Sequence, residues 1–165
     1  MIDYIIIEGP DCSGKSTVVN RIKNALRWDS KSLSHSEGDQ FTRYLQQYAF
    51  GKNTVFDRSH LSEIVYSKLW RGGNPFSAEE EAILNDIINE RALVIFTCPD
   101  EKTIEERYKA RSYEQQIKLE ELKQSRQLFC ETLKPIPHIH YTASNYDELD
   151  ELVGRVKDEV LCNSN

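Results

Sequence analysis

The chain contains little cysteine and no cluster of it. Cys12, Cys98, Cys130 and Cys162 lie far apart and make no Cys-x-x-Cys pair. Neither a zinc site nor a disulfide framework is expected, and reduced thiols of a cytoplasmic protein are. The four histidines, His35, His60, His138 and His140, show no metal-ligand spacing. No apolar run approaches the roughly 20 residues of a membrane helix, and no basic segment precedes a signal-like core, so no membrane partner is expected. Positive charge is also short. With 21 Lys and Arg against 27 Asp and Glu, the net charge is −6, a poor basis for gripping polymeric nucleic acid through its phosphates. Repeats, low-complexity stretches and linkers are missing too. A length of 165 residues then suggests a single domain over 1–165, with the tail 163–165 frayed.

What is present is concentrated in Gly9-Pro10-Asp11-Cys12-Ser13-Gly14-Lys15-Ser16-Thr17, between the apolar run Tyr4-Ile5-Ile6-Ile7 and a helix-patterned segment. Gly-x-x-x-x-Gly-Lys-Ser between a strand and a helix is a phosphate-binding loop. Its glycines let the backbone curl into a concavity of N–H groups, and the new helix aims its positive dipole end at the same point. Asp11, Cys12, Ser13, Gly14, Lys15, Ser16 and Thr17 are therefore the expected ATP-binding set. Lys15 would reach the β- and γ-phosphates, and the Ser16 hydroxyl would ligate Mg²⁺. The carboxylate of Asp11 would repel phosphate unless it faces an acceptor, where a sugar hydroxyl suits it. A thiol at Cys12, among loop amides at a helix N-terminus, is expected to have a lowered pKa and to react readily.

Hydrophobic periodicity orders the rest. Helices are expected over 15–28 and 41–49, a short strand near 32–35, and a buried strand over 53–57. A helix follows to about Arg71-Gly72-Gly73, and Ser77 with Glu80 forms a capping box for another carrying Ile83, Leu84, Ile87 and Ile88. Residues 92–96 read as a central strand covered on both faces. Asp100 caps a helix through Arg111, a second helix spans 113–133, and 139–141 is the last strand. Asn145 and Glu148 open the final helix. Strands alternating with helices imply an α/β domain with a parallel sheet.

Asp57 ends a buried strand at the sheet edge where ligands bind, so it is either a Mg²⁺ carboxylate or a helix N-cap. Arg58 would point into the same cleft. Arg107 and Arg111, four apart on one helix, form either a solvated face or a lid, expected over about 107–116, that neutralises a transferred phosphoryl group. Glu37 lies in a polar loop as a candidate base. Phe41, Tyr44, Tyr48, Tyr66 and Trp70 offer either core packing or a stacking surface, and Arg43 is a candidate acceptor contact.

Three stretches carry a family resemblance. Residues Ile5 to Thr17 resemble the opening of thymidylate kinases, including the carboxylate inside the loop. Asp57-Arg58-Ser59-His60-Leu61-Ser62-Glu63-Ile64-Val65-Tyr66 resembles their Asp-Arg segment, especially in compact bacteriophage enzymes. Glu106-Arg107-Tyr108-Lys109-Ala110-Arg111 resembles their lid. The resemblance implies a three-layer P-loop nucleoside-monophosphate-kinase-like fold, with a five-stranded parallel sheet flanked by helices. It implies phosphorylation of a deoxynucleoside monophosphate, dTMP-like, by ATP with Mg²⁺. Lys15, Arg58, Arg107 and Arg111 would be catalytic, with Arg58 on the acceptor phosphate and Asp11, Glu37, Arg43 and Tyr66 also on the acceptor side. Where a loop arginine can occur in that family this chain has Cys12, which shifts the role to Arg107 and Arg111. Homodimers are common there, although the sequence carries no interface signature. The helical stretch that reads thymine is missing before Asp57. The Asp-Arg-Ser triplet and the lid also resemble deoxynucleoside kinases, which phosphorylate a free 5′-hydroxyl and need a base such as Glu37. A switch module with slow ATP hydrolysis is the alternative from another class.

Overall fold

Strand β1 (Tyr4–Glu8) is buried along its whole length. Its pleat sends Tyr4 and Ile6 into one hydrophobic cluster and Ile5 and Ile7 into a second, as period-2 alternation dictates for a strand covered on both faces. A computed structural model of the chain describes residues 1–111, 117–143 and 145–162. In it β1 is the middle of a five-stranded, all-parallel sheet. It pairs with β3 (Thr54–Asp57) on one side and β4 (Ala92–Thr97) on the other, with β2 (Asp29–Ser32) and β5 (Ile139–Tyr141) outermost, in the order β2-β3-β1-β4-β5.

The helices are α1 (Lys15–Leu26), α2 (Gln40–Phe50), α3 (His60–Trp70), α4 (Ala78–Arg91), α5 (Glu101–Ala110), α6 (Leu119–Leu133) and α7 (Tyr146–Cys162). Val18 and Ile22 of α1 join Leu149 and Val156 of α7 over the Ile5/Ile7 face. Tyr44 and Tyr48 of α2, Ile64 of α3, Ile88 of α4 and Phe129 of α6 cover the Tyr4/Ile6 face. The expected five-stranded parallel α/β architecture is therefore the one observed. Among the described residues no helix is long and apolar enough to cross a membrane.

Three boundaries move. The strand expected near 32–35 is β2, at Asp29–Ser32. It is an exposed polar edge whose position is set by backbone pairing with β3 rather than by any apolar pattern. The helix α1 stops at Leu26, because Arg27 turns left-handed (φ 57) and the Trp28 N–H closes on the Lys23 carbonyl. The helix expected from 113 begins at Leu119; Glu121 caps the Lys118 N–H at 2.9 Å, which marks its first turn. Residues 113–116 of that expected helix, and residues 112–116 of the expected lid, lie outside the described residues. Only residues 51–53 separate α2 from β3, so the compact connection read from the sequence is present.

Because the sheet is parallel, the segments after β1, β3, β4 and β5 all leave from its carboxyl edge, where such folds bind ligands.

Candidate active site

The phosphate loop fits its scaffold closely. At Gly9 (φ +147) a Cβ would stand 2.2 Å from the Thr97 carbonyl oxygen and 2.5 Å from its hydroxyl, so only glycine can pass β4 here. Thr97 donates to the Glu8 carbonyl at 2.9 Å and meets the Ser13 hydroxyl at 2.8 Å, tying the loop to the strand. Gly14 (φ 94) is the N-cap of α1. Lys15 follows, almost fully buried, with its ammonium donating to the Pro10 carbonyl at 2.8 Å. Burial, aided by the charge of Arg58, pulls the Lys15 pKa down to about 8 against the carboxylates of Asp11, Asp57 and Glu8. Ser16 and Thr17 are exposed at the mouth of the first helical turn.

Arg58 sits directly after β3 in a left-handed conformation (φ 78). Such a backbone is costly for a side chain longer than glycine and marks a geometry worth holding. Its N–H donates to the Ile7 carbonyl at 3.0 Å. The guanidinium Nη2 donates to Asp11 Oδ1 at 2.6 Å, and the group lies 4.9 Å from the Tyr66 ring centre, a cation–π contact. Burial disfavours the Asp11 charge, but Arg58 and Lys15 outweigh it and hold that carboxyl below the usual range. Three polar atoms here are buried without a hydrogen-bond partner: Asp57 Oδ1, Arg58 Nη1 and Tyr66 Oη. Native interiors leave few such groups unmatched, and a water, an ion or a catalytic role is the usual reason; Tyr4 Oη and Thr132 Oγ1, outside this cluster, are two more. Asp57 also keeps its side chain out of the helix-capping role, since the N-cap of α3 is Ser59.

Arg107 turns inward from α5. Its Nη1 reaches the Ser13 carbonyl at 3.1 Å and its Nη2 the Ala143 carbonyl at 2.6 Å. Arg111, the C-cap of α5, lines with it a cavity of about 600 Å³ that also includes Cys12, Gly14, Thr17, Asn145 and Tyr146. The two arginines thus share one cleft against the loop. Glu37 stands elsewhere, exposed on a second cavity of about 460 Å³ with His35, Gln40, Glu63 and Arg71. Buried Glu63 is the centre of that pocket wall, accepting from Arg71 at 2.6 Å and meeting His35 Nδ1 at 2.9 Å. Arg43 makes its contacts with the Ser34 carbonyl at 2.6 Å, the Gln40 side chain and the Tyr44 ring.

One expectation needs correcting. Burial pushes the Cys12 thiol up despite the nearby arginines, the reverse of the lowered pKa expected from its place at the helix N-terminus. For Tyr44 and Tyr48 the core alternative holds: both are fully buried, and Tyr48 is bonded to His60 at 2.8 Å; of the aromatic set, Tyr66 reaches the cluster around Arg58, with Trp70 stacked on it at 5.0 Å. Sequence reasoning passed over Glu8. It is fully buried, accepts from Ser59 Oγ at 2.5 Å and from the Ser62 hydroxyl and N–H, and so ties the loop entrance to the start of α3. Burial raises its pKa. Its signal was a charge ending an apolar strand. Asn145 and Tyr146 were also missed as cavity walls; only their place after the last strand could have marked them.

A phosphate loop on the middle strand of this sheet, with arginines converging from two other elements, defines a P-loop nucleoside-kinase-like α/β fold. No protein-family model matches the chain. Among curated proteins it is similar to the SPbeta prophage-derived protein YorR of Bacillus subtilis strain 168, 28% identical over 115 residues, covering 67% of this chain and 70% of that one. The crystal structure of YorR in complex with phosphorylated GDP superposes with a TM-score of 0.84 at 21% identity, over 98% of this chain and 97% of that one. Deoxyadenosine kinase from M. mycoides with bound dCTP gives a TM-score of 0.61 at 21% identity, over 94% and 99%. The same kinase with the products dCMP and a flexible dCDP gives 0.67 at 20% identity, over 94% and 98%.

Proposed function

We propose that this protein transfers the γ-phosphoryl group of ATP to the phosphate of a deoxynucleoside monophosphate, dTMP among the candidates, giving the diphosphate. The observation that carries this reading is Arg58. One guanidinium nitrogen is held by Asp11 while the other is buried and unpartnered, a fixed donor awaiting an anion on the acceptor side of the loop. Phosphoryl transfer needs positioning and charge stabilisation more than covalent help. Lys15 and the loop N–H groups would hold the donor phosphates, and Arg107 and Arg111 would cover the transferred group. The 600 Å³ cavity would take the donor's nucleoside between Thr17, Asn145 and Tyr146. Asp11 would reach the acceptor sugar.

Ser16 and Asp57 would hold Mg²⁺. The fit rests on hard oxygen donors and on the orphaned Asp57 Oδ1. The ion would neutralise charge building on the phosphates.

A deoxynucleoside kinase is the second reading. It is supported by the likeness to deoxyadenosine kinase and by the separate cavity at Glu37, where that carboxylate would act as base on a 5′-hydroxyl. Incubation with ATP, Mg²⁺ and a panel of the four deoxynucleosides and their monophosphates separates the readings. Diphosphates from monophosphates and nothing from nucleosides are expected. Monophosphates formed from nucleosides would instead establish the second reading, and tight ATP binding without any phosphorylated product would point to a switch module. In the first case Arg58→Ala should lower turnover by about 10²-fold or more with unchanged circular dichroism.

A further inference from the structure

Outside this site one pair of reactive groups stands together. The Sγ atoms of Cys98 and Cys130 are 4.0 Å apart, bringing the residue after β4 against the last turn of α6. Cys98 is buried and Cys130 is exposed. From their geometry we infer that they form a peroxide-responsive dithiol whose disulfide disturbs the phosphate loop.

Several observations lead there. The sulfurs are already in van der Waals contact, and a bond needs an approach of about 2 Å, within reach of a side-chain rotation and a small helix shift. Solvent reaches Cys130, so an oxidant meets that thiol first. Cys98 is buried, and burial pushes its thiol up to about 12, so it meets an oxidant in solution less readily than Cys130 does. Arg126, four residues before Cys130 on the same face of α6, donates to the Pro99 carbonyl at 3.1 Å and keeps a cation beside the Cys98 sulfur.

The chemistry is balanced with hydrogen peroxide as the oxidant. The Cys130 thiolate attacks one peroxide oxygen, the O–O bond breaks, and a sulfenic acid forms as hydroxide leaves. The Cys98 sulfur then attacks the Cys130 sulfur, the S–O bond breaks, and the departing hydroxide takes the Cys98 proton as water. Two thiols lose two electrons and one peroxide becomes two waters.

The link to the site is one residue long. Thr97 precedes Cys98, closes on Ser13 and the Glu8 carbonyl, and abuts Gly9 with no room to spare. Drawing Cys98 toward α6 displaces the wall against which the loop is folded. The inference rests on the proposed ATP site only for its second readout, because the cross-link is detected by mass whether or not any acceptor is phosphorylated.

The full chain carrying Cys162→Ser, which removes the other exposed thiol, is reduced and then treated with hydrogen peroxide. Free thiols are trapped by alkylation and tryptic peptides are weighed. A peptide pair joined through residues 98 and 130 and lighter by two hydrogens is expected, reversed by dithiothreitol and missing after Cys130→Ser. Oxidation should weaken ATP binding at least about tenfold, since ångström-scale displacement at such sites costs that order, with affinity restored on reduction. Cys130→Ser, at an exposed position away from the site, should bind ATP normally before and after peroxide. A sulfinic acid at Cys130 without a cross-link, a dimer joined through Cys130, or equal ATP affinity in the oxidised and reduced forms would each overturn the inference.

Discussion

Single side chains decide the chemistry, and their environments were the part the sequence hid. The phosphate loop was legible because its backbone demands leave a pattern of glycines, and Gly9 shows why. With Thr97 2.2 Å from any Cβ and φ at +147, Gly9→Ala should destabilise the fold by about 1–3 kcal/mol, measured by urea unfolding. Lys15→Ala should cut turnover by roughly 10²–10³-fold while the far-ultraviolet spectrum stays unchanged. The lysine also sets a pH dependence. Its pKa in the nucleotide-free protein is about 8, and the protonated form is the one that attracts phosphate. ATP affinity should therefore fall as pH rises through about 8, and bound ATP should move that proton loss to higher pH. A titration whose affinity stays flat from pH 7 to 9.5 would reject this assignment. The direction of the Cys12 shift was not legible for a physical reason: the motif shows a thiol among amides, but not its burial within the hydrophobic cluster on that side of the sheet.

Elements were legible in proportion to how far their own residues specify them. The start of α4 was, because Ser77 accepts from the Glu80 N–H at 3.2 Å and Glu80 from the Ser77 N–H at 2.9 Å, a reciprocal pair spelled out by spacing alone. Ser77→Ala should cost about 1 kcal/mol of stability and leave turnover as it was, a useful contrast with the loop variants. Strand β2 was displaced in the sequence reading because all four of its residues are exposed and only β3 dictates where it lies. Helix α3 carries the site's second half. Glu8 fixes its first turn through Ser59 and Ser62, and so fixes Arg58 just before it. Glu8→Gln keeps the shape but weakens those bonds, and should raise the KM for the acceptor more than the KM for ATP, as read from initial rates.

For the molecule as a whole, alternation of strands and helices was enough to give a parallel sheet, and parallel pairing was enough to put the loop, Asp57-Arg58 and the start of α5 at one edge. The cavity between the 33–39 segment and α3 was not legible, because those elements meet only in three dimensions, through contacts such as His35 to Glu63.

The central place of β1 has a consequence for how the protein is made. Tyr4-Ile5-Ile6-Ile7 is synthesised before either of its partners, which are residues 54–57 on one side and 92–96 on the other. This fully buried strand therefore keeps at least one edge unpaired until residues 92–96 have been synthesised, a window in which parallel-sheet proteins are exposed to aggregation. A nascent chain stalled after residue 91 should leave one edge of β1 open and engage chaperones or precipitate, whereas one stalled beyond residue 133 should resist protease over its first 100 residues.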